Sequence, residues 1–187
     1  MSAEDRLRWD TIYRQRGHLP YPDPDPLLFE YTPPLTELNE RRALDLAGGV
    51  GQNGLWLAEQ GYTVDVLDIS RMALLRGRSE MMARSLRNIN FLQIDLEDHE
   101  LKLSRYDLVS VFRYLNRDFF TQIRACVRPG GRIIYETFNR LHLETAPQFS
   151  PEYLLEPGEL AGYFADWKIL HHADVGAHSR LVAIKPE

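Results

Sequence analysis

Glycines and acidic residues that could bind a ligand are concentrated around residue 50. Gly49, Gly51 and Gly54 satisfy the pattern G-x-G-x-x-G, in which glycines let the backbone approach a ligand at the start of a helix. Asp68 follows Gly51 by seventeen residues, a position from which a carboxylate can accept both hydroxyl groups of a ribose. The spacing therefore predicts a turn that binds a nucleoside.

Two further acids bear on which nucleoside the turn would hold, since both nicotinamide dinucleotides and S-adenosylmethionine use this pairing. Asp45 lies four residues before Gly49, where a carboxylate would repel a pyrophosphate and would suit a cationic ligand. Asp95 follows the apolar segment NFLQI, so its side chain and the Leu96 amide could read the edge of an adenine. The chain has only three lysines, none placed for the Tyr/Lys pair of a dehydrogenase. These features favour a positively charged nucleoside.

Short apolar strands alternate with helices and would place these residues at the carboxyl ends of strands, where ligands bind in such folds. We expect an α/β fold: a single-domain, Rossmann-like, seven-stranded and mostly parallel sheet with an antiparallel C-terminal hairpin and helices on both faces. The predicted strands are Arg42–Leu46, Thr63–Leu67, Ile89–Ile94, Tyr106–Phe112, Arg132–Phe138, Lys168–His172 and Arg180–Ile184. The predicted helices are Arg6–Arg16, Gln52–Gln60 ending at Gly61, Ser70 (as N-cap) to about Leu86, Phe119–Val127 and Pro157–Phe164.

Composition excludes several classes of protein. The chain has 187 residues, 44% of them apolar, and a formal charge of −5, which argues against an extended phosphate-binding surface. No apolar run is long enough to cross a membrane, and the first residues, MSAEDRLRWD, contain no signal-peptide core. Its one cysteine, Cys126, allows no internal disulfide and no Cys-based zinc site. We therefore expect a cytoplasmic protein without a metal site.

Five ordered segments resemble the motifs of class I S-adenosylmethionine-dependent methyltransferases. The resemblance is strongest to the small bacterial group similar to tellurite-resistance and thiopurine methyltransferases. The N-terminal WDTIY, which includes Trp9 and Tyr13, also resembles the helix that caps the cofactor in this group. On this basis, residues 1–40 are expected to form a cap helix and a Pro-rich lid, and residues 41–187 the methyltransferase domain. The matching segments are DLAGGVGQNG, VDVLDIS, FLQIDLED, YDLVSVFRYLNR and VRPGGRIIYETF.

The resemblance implies a set of residues that bind the cofactor, S-adenosylmethionine. Asp45 would hold the methionine amino group, and the backbones of Ala47, Gly49 and Gly51 would line the methionine moiety. Ala47 stands where the family has glycine, which a negative φ would allow. Asp68 would bind the ribose. The adenine would be contacted by Ile69, Asp95 and Leu96. The methionine tail and the sulfonium would be flanked by Phe112 and Arg113.

The acceptor pocket has no recognisable catalytic signature. The candidates for catalytic residues are Arg113, which could attract an anionic acceptor or pair with Asp118 or Glu136, Tyr114, and His142 as a base. We expect methyl transfer to a small-molecule acceptor, a thiol or chalcogen, hydroxyl or carboxyl, by a monomer or weak homodimer that binds neither membrane nor nucleic acid. The alternatives are an RNA or protein methyltransferase and a non-catalytic S-adenosylmethionine-binding protein. The sequence FRYL, in place of an N-P-P-Y motif, argues against methylation of base amino groups.

Overall fold

Seven strands form one sheet in the order β3-β2-β1-β4-β5-β7-β6, numbered along the chain as β1 (Arg42–Leu46), β2 (Thr63–Asp68), β3 (Ile89–Gln93), β4 (Tyr106–Phe112), β5 (Val127–Phe138), β6 (Lys168–Val175) and β7 (His178–Ile184). The computed structural model describes residues 3–35 and 41–187. The predicted domain boundary at residue 40 falls in the segment 36–40, outside the described residues, and stays a prediction. No helix in the described ranges is both long and apolar enough to span a bilayer. The chain divides into two compact units, Met1–Glu100 and Leu101–Glu187.

The first unit is built on a parallel three-stranded sheet. β2 pairs with β1 on one side and with β3 on the other, so the carboxyl ends of these three strands lie at one edge. Nearly every residue of β1 and β2 is buried, as in strands covered on both faces. Its elements are α1 (Ala3–Gln15), α2 (Pro26–Tyr31), β1 (Arg42–Leu46), α3 (Gln52–Glu59), β2 (Thr63–Asp68), α4 (Arg71–Ala83) and β3 (Ile89–Gln93).

The ends of α3 and α4 follow the local sequence signals. Ser70 caps the amino end of α4, and its hydroxyl accepts a hydrogen bond from the Ala73 amide at 3.2 Å. Gly61 follows α3 with a φ of +96°, and the Gly61 and Tyr62 amides donate back to carbonyls of the last helical turn. This arrangement is a Schellman motif, which explains why the helix stops at a glycine. Both signals were correctly predicted.

The second unit contains both parallel and antiparallel pairs. β4 and β5 are parallel, whereas β7 runs antiparallel to β5 and to the edge strand β6. The predicted C-terminal hairpin is thus confirmed, together with the seven-stranded, mostly parallel fold. Its elements are β4 (Tyr106–Phe112), α5 (Phe120–Cys126), β5 (Val127–Phe138), α6 (Glu159–Gly162), β6 (Lys168–Val175) and β7 (His178–Ile184).

The largest difference from the predicted boundaries lies at the start of β5. The prediction began this strand at Arg132 because the Pro-Gly-Gly sequence is typical of a turn. In the structure β5 begins at Val127, and the pairing with β4 shifts from Tyr106–Val127 to Leu108–Arg132. Residues 128–131, which lie between these two pairs, form an irregularity within the strand. The predicted helix Phe119–Val127 correspondingly ends at Cys126, after a 3-10 turn at Arg117–Phe119.

Candidate functional site

The turn between β1 and α3 is tight and left-handed. Ala47, Gly49 and Gly51 have φ values of +51°, +59° and +79°. The expectation of a negative φ at Ala47 is therefore wrong. The chain must turn sharply after β1, and the Gly48 amide donates to the Leu67 carbonyl at 3.1 Å as it does so. An L-residue in this region is disfavoured by about 1–2 kcal/mol, so Ala47 is a strained position.

Asp45 is buried next to this turn and is hydrogen-bonded to the first turn of α3. Its side chain is 1% exposed, and its Oδ2 accepts a hydrogen bond from the Gly54 amide at 3.0 Å. A Cβ atom at Gly48 would lie 2.6 Å from the same oxygen, which explains the absence of a side chain at that position. The structure thus gives Asp45 a role in holding the amino end of α3. Its predicted contact with the methionine amino group stays a prediction.

Asp68 is a buried carboxylate at the end of β2, facing the turn. Oδ2 accepts a hydrogen bond from the Gly49 amide and Oδ1 accepts one from the Ser70 amide, each at 2.8 Å. Burial raises the pKa of Asp68 to about 6, the backbone donors lower it, and the nearby Asp10 carboxylate raises it. Because a carboxylate has about four lone-pair sites, both oxygens can still accept further donors. This carboxylate is suited to accept hydrogen bonds from the hydroxyl groups of a ligand.

The helix α1 lies across this part of the molecule. Asp10 Oδ1 accepts hydrogen bonds from the Ser70 hydroxyl at 2.6 Å and the Met72 amide at 3.0 Å. The Tyr13 hydroxyl lies so close to Gly49 that a Cβ atom there would collide with it. The helix that contains WDTIY thus packs against the glycine turn, while its predicted role in capping the cofactor stays a prediction. Asp10 and Ser70 are sixty residues apart, so no local sequence signal indicates their hydrogen bond.

The Pro-rich segment, residues 19–26, is hydrogen-bonded to the same turn. The Tyr21 hydroxyl donates to the carbonyl of Val50, and its ring lies 5.4 Å from the Arg76 guanidinium. Arg76 donates to the carbonyls of Arg16, Leu19 and Pro20. These contacts attach the segment to the turn and to α4, while its predicted role as a lid stays a prediction. Arg76 therefore attaches residues 16–20 to α4.

Gly77 is a residue that the sequence analysis missed. A Cβ atom at this position of α4 would collide with the Phe91 ring and the Val50 carbonyl. The same Phe91 ring lies against Gly51, so it packs between the turn and α4. The sequence does contain a signal for this contact. A glycine inside a predicted helix lowers helix stability, so its presence indicates that another group packs closely there.

The third strand presents the predicted adenine contacts. Asp95 is half-buried, and its Oδ1 accepts a hydrogen bond from the Glu97 amide at 3.0 Å, as in an ordinary loop turn. Leu96 is fully buried and Ile69 is 6% exposed. The Ile94 amide donates to the Asp68 carbonyl at 3.0 Å, which joins this loop to the end of β2. The structure brings Asp68, Ile69 and the Asp95 loop together, while their ligand contacts stay predictions.

In the second unit, Arg113 follows β4 in a strained conformation. Its φ is +58° and its amide donates to the Glu136 carbonyl at 2.8 Å, while Phe112 before it is buried. The Glu136 carboxylate is buried and pairs with Arg180 at 2.6 Å. Within the described residues, the Arg113 guanidinium pairs with neither Glu136 nor Asp118, although the sequence left that option open. Its side chain is exposed. Non-glycine residues with positive φ cluster at functional sites.

The other two candidate catalytic residues are half-buried. Tyr114 is half-buried, and its carbonyl accepts a hydrogen bond from the Tyr135 hydroxyl at 2.9 Å. The His142 ring stacks on Phe138 at 4.2 Å and meets Phe149 edge-on at 5.0 Å. His142 is therefore part of an aromatic cluster rather than a free surface residue.

Comparison with known proteins bears out the motif analysis. Residues 43–131 match a family model described as "Methyltransferase domain". A ubiquinone biosynthesis O-methyltransferase from Alkalilimnicola ehrlichii is 30% identical over 128 residues, covering 65% of this chain and 51% of that protein. The chain spans about half the length of the curated relatives it matches.

Solved structures share the fold over nearly the whole chain. An enzyme studied for the conversion of a disulfide bond into a thioacetal group during echinomycin biosynthesis superposes with a TM-score of 0.73 and 21% identity, covering 97% of this chain and 92% of that one. Phosphoethanolamine N-methyltransferase 2 of Haemonchus contortus, solved with S-adenosyl-L-methionine, gives a TM-score of 0.74 and 14% identity, covering 95% and 57%.

The fold is therefore the Rossmann-like fold of methyltransferases. Residues 43–131 are therefore similar to known methyltransferase domains, as the resemblance of the five motifs to class I S-adenosylmethionine-dependent methyltransferases indicated.

Proposed function

We propose that this protein transfers a methyl group from S-adenosylmethionine to a small-molecule acceptor. The observation that carries the proposal is the buried Asp68 carboxylate, which faces a left-handed glycine turn within a methyltransferase-type domain. A dinucleotide pyrophosphate is disfavoured because Asp45 lies directly under the turn. The family match and the whole-chain fold similarity support the same conclusion.

The residues of the first unit fit an adenosyl ligand. The ionised Asp68 accepts the two ribose hydroxyls through the lone pairs that the Gly49 and Ser70 amides leave unused. The apolar Ile69 side chain packs against the adenine, and the Asp95–Leu96 segment reads its edge. The backbones of Ala47, Gly49 and Gly51 approach the methionine moiety. The charged neighbour of Asp68 is another carboxylate, Asp10, so this region favours a ligand with positive charge.

Bound S-adenosylmethionine supplies a methyl group on a sulfonium, whose thioether leaving group is neutral and needs no acid. The protein's task is then to align the acceptor, and proximity alone can contribute roughly 7–11 kcal/mol. The resemblance assigns Phe112 and Arg113 to the methionine tail and sulfonium. Arg113 has no carboxylate partner in the described chain, so its guanidinium is available to attract an anionic acceptor.

We propose a thiol or chalcogen, a hydroxyl or a carboxyl as the accepting group. The curated relatives are ubiquinone biosynthesis O-methyltransferases, and one structural neighbour was studied for the conversion of a disulfide bond into a thioacetal group. His142 would serve as the base where the acceptor must lose a proton, with Tyr114 beside Arg113 as a hydrogen-bonding group. An acceptor that ionises near neutral pH would need neither of them.

Methyl transfer from isotopically labelled S-adenosylmethionine tests this proposal. The protein is incubated with cell extract separated into RNA, protein and small-molecule fractions, and label is counted in each. We expect label in the small-molecule fraction, strongly reduced for Asp68→Ala and retained for Asp65→Asn, a matched change of a buried acid on the same strand. Label confined to RNA or protein would contradict the proposed acceptor class. Binding of the cofactor without turnover on any fraction would favour a non-catalytic protein.

A further inference from the structure

A chain of hydrogen bonds connects α1 to the proposed ribose-binding carboxylate. Asp10 on α1 accepts from the Ser70 hydroxyl at 2.6 Å, and the Ser70 amide donates to Asp68 at 2.8 Å. Ser70 thus contacts both acids at once, one through its side chain and one through its backbone. The same oxygen of Asp10 also accepts from the Met72 amide at 3.0 Å. The attachment point of α1 is therefore part of the wall of the candidate site.

The location of Asp10 is favourable for a carboxylate in one respect and unfavourable in another. It lies at the amino end of α4, a helix of thirteen residues, where free amides and the helix dipole stabilise negative charge. It also lies near the buried Asp68, and two like charges oppose each other. A ligand that donates hydroxyls to Asp68 would screen that repulsion. Ligand binding and the docking of α1 would then favour one another.

The groups around the Asp68 carboxylate come from α1, the glycine turn and the start of α4. From α1 come Asp10 and the Tyr13 hydroxyl, which lies against Gly49. From the glycine turn and from α4 come the backbone amides of Gly49 and Ser70. The charge of Asp10 raises the pKa of the Asp68 carboxylate. A change at Asp10 therefore alters the electrostatics of the site directly.

We propose that Asp10 is a positioning residue that couples the docking of α1 to occupancy of the Asp68 site. Through Ser70, it holds α1 over the glycine turn when an adenosyl ligand is bound, and the ligand in turn strengthens this attachment. Such coupling is reciprocal: whatever α1 contributes to ligand affinity, the ligand returns to the docking of α1. The inference rests on the proposed function, because it requires an adenosyl ligand at Asp68.

Hydrogen exchange measured with S-adenosylhomocysteine tests the coupling. In the parent protein, the ligand should slow amide exchange throughout α1, Ala3–Gln15. In Asp10→Ala, this protection should be lost and the ligand dissociation constant should rise at least about fivefold. Glu4→Gln removes an exposed acid from the same helix and should behave like the parent. Unchanged protection and affinity in Asp10→Ala would overturn the inference.

Asp10→Asn provides a second variant, since it keeps an oxygen that can accept from Ser70 and removes the charge. If the ionised Asp68 binds the ligand, affinity in the parent should fall about tenfold one pH unit below its pKa of about 6. Asp10→Asn should lose less affinity than the parent over the same pH range. Identical pH profiles would contradict the electrostatic part of the coupling. Failure of the parent to bind S-adenosylhomocysteine at any pH would instead refute the proposed function.

Discussion

Replacing Ala47 by glycine should make the protein more stable, which is the opposite of the usual effect of glycine. Ala47 has a φ of +51°, in the left-handed region that L-residues avoid. Glycine adopts this conformation without steric penalty. The backbone of the turn is fixed on either side by the Gly48 amide bonded to Leu67 and the Gly51 amide bonded to Gly48. Because the turn is held in place, the strain at Ala47 cannot relax.

The expected increase in the free energy of unfolding of Ala47→Gly is the difference of two opposing contributions. Relief of the left-handed strain contributes about 1–2 kcal/mol. The greater flexibility of glycine in the unfolded chain costs about 0.5–1 kcal/mol. The net increase in the free energy of unfolding is therefore about 0.5–1 kcal/mol. For a chain of 187 residues this corresponds to a rise in Tm of about 1–4 °C.

Urea denaturation followed by tryptophan fluorescence measures this difference, provided that the m-value is unchanged. Ala43→Gly is the matched control: Ala43 lies in β1, fully buried in extended backbone, and should lose about 1–2 kcal/mol. If Ala47→Gly were destabilised like Ala43→Gly, the argument from backbone strain would be refuted.

Three other changes test separate parts of the account. The pKa of Asp68 is about 6 in the folded protein against an ordinary value of 3.8, so its ionised form opposes folding at neutral pH and this opposition disappears as the pH falls toward 3.8. The free energy of unfolding of the parent, relative to Asp68→Asn, should therefore rise by about 2 kcal/mol from about pH 7.5 to about pH 4.5; a constant difference would contradict the burial of a carboxylate. Gly77→Ala should destabilise the protein by about 1–3 kcal/mol in chemical denaturation because the new methyl group collides with Phe91, whereas Gly162→Ala, which meets open space, should not. Arg180→Met leaves the buried Glu136 without its ion-pair partner and should lower the unfolding free energy by about 3 kcal/mol; restored stability in the double variant with Glu136→Gln would show that the unpaired charge is the cause.

Much of the fold could be predicted because its signals are local. β1 and β4 were predicted with the bounds that the structure shows, since each is a short apolar run between polar residues. The start of β5 was missed because proline and glycine are typical of turns, whereas hydrogen bonds of Gly130 and Gly131 with Lys185 continue the strand through them. The predicted helix Pro157–Phe164 is shortened to Glu159–Gly162 for a similar reason, as helix ends depend on tertiary contacts.

The candidate site was predictable in its residue types and less so in its geometry. Spacing identified Asp68 and the glycine turn, whose members have the required positive φ. The strain at Ala47 and the Asp10–Ser70 hydrogen bond depend on tertiary structure and leave no trace in local spacing. Arg113 illustrates the same limit, because Glu136 pairs with Arg180, its register partner on β7, and not with Arg113.

The central claim is that Asp68 holds the ribose of an adenosyl cofactor at the glycine turn. Isothermal titration of S-adenosylhomocysteine into the parent protein and into Asp68→Ala measures it most directly, with NADH as the competing ligand. We expect binding to the parent, about 5–150-fold weaker binding to Asp68→Ala, and no displacement by NADH. Equal affinity of the parent and the variant, or tighter binding of NADH, would contradict the account.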